Sequence, residues 1–288
     1  MLSEGARIAV VAPSGIFSPE RLEAGTALIR SWGYTPVDGP NLHARDRLTA
    51  GTPAQRTADL AWAMTAPDID AVWFARGGYG TVHTLDSLPW GKMDGRPVIG
   101  FSDATALFCA MERVGVPGAI HGPVLHSLAD HTDEASREAT RQMLAEGWKV
   151  HLPGRHLCGP AQPATGRVIG GNLCMLAAMA GTSWALQAQG AIVMLEDIAE
   201  PPYKIHRMIT QLRLSGALSG VAGIALGCFT GTKIPEGASW TLDDLMVELL
   251  APLNVPVIAG LPFGHGPANR PWRVGATGVL SGDGLDVG

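Results

Sequence analysis

Residues 8–12 form an uninterrupted apolar run that ends in Pro13-Ser14-Gly15, the pattern of a strand buried on both faces and closed by a turn. Ser18, Pro19 and Glu20 mark a helix start, and Leu22, Leu28 and Ile29 lay an apolar stripe along it as far as Gly33. The alternation repeats: residues 54–64 predict a helix, 71–75 a strand, 81–88 a helix and 97–100 a strand. Strands and helices in this order predict a parallel sheet flanked by helices.

A polar helix over 134–144 is followed by a stretch, 147–163, rich in Gly, Pro and His and without clear periodicity. Beyond it the texture changes to short apolar runs at 166–169, 191–195, 223–229, 257–259 and 272–280, interrupted by helical patterns at 173–180, 203–214 and 242–250. The expected fold class is therefore α/β: an N-terminal parallel-sheet domain over 1–145, a linker over 146–165, and a C-terminal β-rich α+β domain over 166–288.

Composition narrows the function classes. With 46% of its 288 residues apolar and 16% charged, the chain can bury a sizeable core. A net charge of -5 offers no basic surface for phosphate backbones or anionic lipids, so neither nucleic acid nor membrane is expected as a partner. Cys109, Cys158, Cys174 and Cys228 lack metal-ligand spacing and read as reduced, buried thiols; no metal and no cofactor are expected. The first residues carry Glu4 and Arg7 ahead of an apolar run too short for a signal-peptide core, which gives a cytoplasmic expectation.

The candidate chemistry begins at Ser102, where residues 98–105 run from a strand straight into a helix. A serine at such a corner projects its hydroxyl from the sheet edge, and the next backbone N–H, that of Asp103, faces a developing oxyanion. The competing reading is a plain helix cap. Arg76-Gly77-Gly78-Tyr79-Gly80 follows the preceding strand, and parallel strands bring this loop to the same sheet edge, so Gly78 is a candidate second oxyanion donor. The loop lacks the lysine and the full glycine pattern of a nucleotide cradle. Serine needs a base, and among nine histidines His265 stands apart, between Gly264 and Gly266 just after an apolar run. An imidazole in turn needs a carboxylate to hold its tautomer. Glu196 and Asp197 both end the very apolar run 191–195, and strand alternation predicts that only one of them points inward.

Taken together these motifs resemble the LD-carboxypeptidases and their relative, the microcin C immunity protein. The likeness runs from Val11-Ala12-Pro13-Ser14 through residues 75–80, Gly100-Phe101-Ser102-Asp103, His121-Gly122-Pro123 and Gly170-Gly171-Asn172-Leu173. It continues in Leu195-Glu196-Asp197-Ile198, Pro202-Tyr203-Lys204-Ile205 and Leu261-Pro262-Phe263-Gly264-His265. The resemblance implies a Ser102, His265 and Glu196 triad, with Glu196 preferred over Asp197, and an oxyanion hole from the amides of Gly78 and Asp103. It further implies a homodimer that removes the terminal D-alanine from murein tetrapeptides in cell-wall recycling. Arg76 and Asn172 are the candidates for substrate binding. Phe101 stands where the family commonly has tyrosine, which removes a hydroxyl but leaves the triad positions untouched. The resemblance to the immunity branch implies an adenine-stacking aromatic near Ala180 and a longer loop before the glutamate. Here Ala180 is small, the span 182–196 is short and Trp184 is the only nearby aromatic candidate, which favours the carboxypeptidase branch over hydrolysis of aminoacyl or peptidyl nucleotides. A non-catalytic peptide-binding module would have no need of all three triad residue types.

Overall fold

A computed structural model describes residues 1–147 and 149–288, and these fall into two compact units. The first holds Met1–Gly147 together with Asn269–Arg273; the second holds the chain from there to Ala268 and again Val274–Gly288.

The first unit is a six-stranded sheet. Its parallel strands are β1 (Arg7–Val11), β2 (Thr35–Asp38), β3 (Ala71–Phe74), β4 (Val98–Gly100) and β5 (Ala119–His121), in the spatial order β2-β1-β3-β4-β5. The order reverses between β1 and β3, and in open α/β sheets the loops leaving the C-terminal ends of the strands at such a switch point are where ligands bind. Ile8, Val10, Val11, Val72, Trp73, Phe74, Val98 and Ile99 are fully buried, as expected of strands covered on both faces. Helix α1 (Pro19–Ser31) starts on Ser18, whose hydroxyl accepts from the Arg21 amide, and α2 (Pro53–Thr65) starts on a reciprocal box between Thr52 and Gln55. Helix α3 (Thr105–Val114) follows β4 through a 3₁₀ turn at Ser102–Ala104. Short α4 (Leu125–Leu128) and α5 (Glu134–Glu146) complete the unit before the chain leaves it. The helix expected at 81–88 is instead a 3₁₀ segment, Thr81–Ser87. Gly80 gives it no side-chain cap, and the Thr84 hydroxyl donates to the Thr81 carbonyl at 2.7 Å, a local bond that competes with the α ladder.

The second unit is an eight-stranded mixed sheet, with β6 (Val150–Pro153), β7 (Arg155–Cys158), β8 (Ala164–Asn172), β9 (Ala191–Ile198), β10 (Gly223–Thr230) and β11 (Val257–Ala259). Strands β8 to β11 run parallel at its centre, and antiparallel strands flank them. Helices α6 (Leu173–Met179), α7 (Pro202–Leu214) and α8 (Leu242–Leu250) follow β8, β9 and β10. Gln211 Nε2 on α7 donates to the Ala177 carbonyl at 2.7 Å, and Arg213 on α7 to the Leu249 carbonyl at 3.1 Å, which ties the three helices together.

Two segments depart from the sequence expectation. The span 146–165, expected as a linker, contains β6 and β7, which form the two edges of the second sheet; Trp148 in that span lies outside the described residues. Each of these strands is only four residues long and, Leu152 apart, half-buried or exposed, and their partners lie far along the chain, which leaves too short a pattern to detect. Residues 272–280, expected as one strand, are two: β12 (Trp272–Arg273) pairs antiparallel with β5 in the first unit, whereas β13 (Thr277–Ser281) pairs with β8 and with β14 (Gly284–Val287) in the second. Trp272 is fully buried, its ring stacked on that of His121 with centroids 5.0 Å apart.

Candidate active site

In the first unit β4 is buried throughout, and the chain leaves it through extended Phe101 into Ser102, which has φ +62. A non-glycine residue in the left-handed region costs on the order of 1–3 kcal/mol and persists only where its surroundings over-determine it. Those surroundings are tight. A β-carbon on Gly77 would fall 2.9 Å from the Ser102 β-carbon, so this position of the 76–80 loop admits only glycine beside the serine. The Gly15 amide donates to the Gly77 carbonyl at 3.1 Å, which joins the loop after β1 to the loop after β3 at the sheet's switch point.

Asp103 is fully buried, and its Oδ2 accepts from the Ser14 hydroxyl at 2.6 Å and from the Thr81 amide at 2.8 Å. Arg56, on α2, is 2% exposed and donates to the carbonyls of Pro13 (2.8 Å), Gly80 (2.6 Å) and Gly51 (3.1 Å). Burial pulls the Arg56 pKa down and the Asp103 charge opposes that pull. Arg76 is exposed, with its guanidinium donating to the Ile16 carbonyl. Sequence reasoning singled out neither Ser14, Thr81 nor Arg56 for the site. Ser14 read as part of a turn and Arg56 as one polar position of a helix, and only the meeting of three loops gives either a partner.

In the second unit β9 delivers Glu196 and Asp197 together. Glu196 is fully buried and Asp197 3% exposed, so the alternation that predicts one inward carboxylate fails here. The face to which Asp197 turns is covered by the start of α6, and its carboxylate accepts from the Cys174 amide at 2.9 Å, the Ile198 amide at 2.8 Å and Asn172 Nδ2 at 3.0 Å. Burial nevertheless dominates, and the Asp197 pKa is pushed up to about 6. Asn172 Nδ2 also reaches Glu196 Oε1 at 3.3 Å, while its Oδ1 caps α6 at the Met175 amide, 3.1 Å away.

The other oxygen of Glu196, Oε2, accepts from His265 Nδ1 at 2.6 Å. The carboxylate is fully buried and the imidazole 13% exposed. A bond from Nδ1 to a buried carboxylate fixes the ring's orientation and tautomer, and leaves Nε2 as the nitrogen that can take up a proton. Among the described residues no group of three or more His, Cys, Asp or Glu is placed to hold a metal ion, and no helix is long and apolar enough to cross a membrane. All four cysteines are free thiols; Cys109 is buried and the other three are half-buried.

The structure thus brings together Glu196, His265, Asn172 and Asp197 in the second unit, and Ser102, Asp103, Gly78 and Arg76 on the loops of the first. A hydroxyl at a strained strand-to-helix corner and a carboxylate-held imidazole are what acyl transfer through a serine requires.

Comparison with known proteins gives the same class. Residues 8–122 match the LD-carboxypeptidase N-terminal domain and residues 165–280 the LD-carboxypeptidase C-terminal domain. The murein tetrapeptide carboxypeptidase of Pseudomonas aeruginosa is 40% identical over 97% of this chain and 94% of its own length. The crystal structure of the muramoyltetrapeptide carboxypeptidase from Oxalobacter formigenes superposes with a TM-score of 0.89 at 30% identity, covering 98% of this chain and 99% of that one. An MccF-like protein from Bacillus anthracis shares the fold, with a TM-score of 0.87 at 22% identity over 99% of this chain and 97% of its own. The class is a serine carboxypeptidase, a hydrolase of amide bonds. Within it, the chain belongs to the LD-carboxypeptidase family.

Proposed function

We propose that the protein removes the terminal D-alanine from murein tetrapeptides through a Ser102, His265 and Glu196 triad, in the cytoplasm and as a homodimer, and so serves cell-wall recycling. The observation that carries the proposal is the 2.6 Å bond from His265 Nδ1 to the fully buried Glu196. A buried carboxylate in that position stabilises the imidazolium that forms when the serine gives up its proton. The Ser102 oxygen attacks the carbonyl carbon of the scissile amide while its proton passes to His265 Nε2. The amides of Gly78 and Asp103 receive the negative charge that develops on the carbonyl oxygen. His265 returns the proton to the leaving nitrogen, the carbon–nitrogen bond breaks, and D-alanine departs. Water, activated by the same imidazole, then hydrolyses the acyl-serine and releases the tripeptide.

Of the two residues the sequence offers for the distal groups of the substrate, we assign only Arg76. It is exposed at the head of the glycine loop. The Asn172 amide is engaged by Glu196 and Asp197, which supports a role in holding the carboxylates rather than the substrate.

The test is mass-spectrometric assay of the purified protein on tetrapeptides ending in D-alanine, with lysine or diaminopimelate at the third position. An acyl-sulfamoyl adenosine is run beside them. The wild type is expected to release D-alanine, and Ser102→Ala or His265→Ala to lose on the order of 10⁴-fold in kcat. Turnover of the adenosine compound alone moves the substrate to the nucleotide branch. Retained cleavage by Ser102→Ala removes the serine from the chemistry.

A further inference from the structure

The Gly80–Thr81 peptide is held at both ends by buried charges of opposite sign. Its carbonyl oxygen accepts from Arg56 Nη1 at 2.6 Å, and its N–H donates to Asp103 Oδ2 at 2.8 Å. The neighbouring loop is held in the same way one residue apart: the Pro13 carbonyl accepts from Arg56 Nη1 at 2.8 Å, and the Ser14 hydroxyl donates to Asp103 Oδ2 at 2.6 Å. The two hydroxyls close the ring, with Ser14 Oγ and Thr81 Oγ1 2.9 Å apart.

We propose that Arg56 and the Asp103 carboxylate act as positioning residues, a clamp that fixes the plane of the Gly80–Thr81 peptide and through it the direction of the Gly78 amide and the Ser102 corner. The inference rests on the serine mechanism proposed above. Gly78 and Gly80 have φ of +113 and +134, which glycine adopts freely. The peptide that carries the Gly78 amide is held at its carbonyl end by the Gly15 amide at 3.1 Å, from the loop whose Pro13 and Ser14 the same two charges hold, so the direction of that amide depends on how both loops are held. Oxyanion stabilisation depends on donors that are aimed before the reaction starts. A guanidinium on one end of a peptide dipole and a carboxylate on the other favour a single orientation of it, and a flip would set like against like. The placement of the carboxylate is informative. It belongs to the residue after the nucleophile, so one residue supplies an oxyanion amide from its backbone and aims the other donor's loop through its side chain.

A mere strut would not need charge. Asp103 Oδ1 meets no donor among the described residues, and a buried carboxylate that is only half satisfied is costly unless an opposite charge compensates it. Arg56, itself 2% exposed, is that charge.

The test is Asp103→Asn and Arg56→Lys in the intact protein. Each is read by steady-state kinetics on the D-alanine tetrapeptide and by hydrogen exchange. Asp103→Asn keeps the shape and an acceptor but removes the charge; Arg56→Lys keeps the charge but loses the fork that spans three carbonyls. Both are expected to lower kcat by about 100-fold, the loss seen when one oxyanion donor is removed, with KM within about threefold of wild type. Exchange is expected to speed up at residues 77–81 while the core strands stay protected. Unchanged exchange at 77–81, or unchanged kcat with exchange altered there, overturns the clamp. So does a loss of protection spread through the whole first sheet, which marks a purely structural role. A wild type idle on the tetrapeptide defeats the proposed function instead, and the exchange at 77–81 still decides whether these two charges hold the loop.

Discussion

Gly264 lies so close to Glu196 that a β-carbon on it would fall 2.6 Å from Oε2, the oxygen that accepts the hydrogen bond from His265 Nδ1. The glycine also has φ +113, where an L side chain is strained whatever the space. A histidine flanked by glycines is therefore no accident of a loose loop: the backbone itself packs on the carboxylate that orients the ring.

Gly264→Ala is accordingly expected to push Glu196 away from His265. Its kcat should drop by at least about 100-fold, with a stability loss of more than about 1 kcal/mol. Parallel kinetics and denaturant melts check both effects. Wild-type turnover in a folded variant would show that the close approach is unimportant.

Ser102 is expected to trade stability for reactivity, because its φ of +62 is one that glycine adopts freely. Ser102→Gly should lose turnover and yet unfold at a higher denaturant midpoint, with a gain of up to about 1 kcal/mol after the entropic cost of glycine is offset. A lower midpoint than that of Ser102→Ala would mean the corner is not strained.

Asp197 should give the protein a pH-dependent stability that is unusual for an aspartate. Its pKa is raised by burial from 3.8 to about 6, so the folded state holds a proton that the unfolded state has already released. The stabilising contribution is complete below pH 4 and is lost as pH rises through about 6. The stability of the wild type relative to Asp197→Asn is thus expected to fall by up to about 3 kcal/mol between those limits. Urea melts of both proteins at pH 4, 5, 6 and 7 measure it, and parallel curves would refute it.

The thiols should be slow to react in the native protein. Burial pushes the Cys109 pKa up to about 12, and it raises those of Cys158, Cys174 and Cys228 as well. At pH 8 a thiol reagent is expected to label Cys109 only on unfolding, and the other three before it. Early labelling at Cys109, mapped by peptide mass spectrometry, would contradict its burial.

What the sequence revealed follows from where each element sits. The central strands were legible because burial on both faces leaves an apolar run such as 191–195, and the residues that end those runs, Ser102 and Glu196, stood out by contrast. The marginal strands did not stand out. β2 is four half-exposed or exposed residues with a proline, and β6, β7 and β14 are short flanking strands whose partners lie far along the chain. The burial of both Glu196 and Asp197 was hidden because strand alternation says nothing of a helix start arriving to cover and satisfy the second carboxylate. Arg56 carried no signal at all, since its partners are backbone carbonyls from three separate loops.

The short strand at Trp272–Arg273 has a consequence for how the molecule is made. The edge of β5 stays open until that strand arrives, and the residues that fill it are synthesised about 150 positions after β5 itself. Completion of the first sheet therefore depends on residues far downstream in the chain, and until they dock the β5 edge and the face of His121 that Trp272 covers stay open.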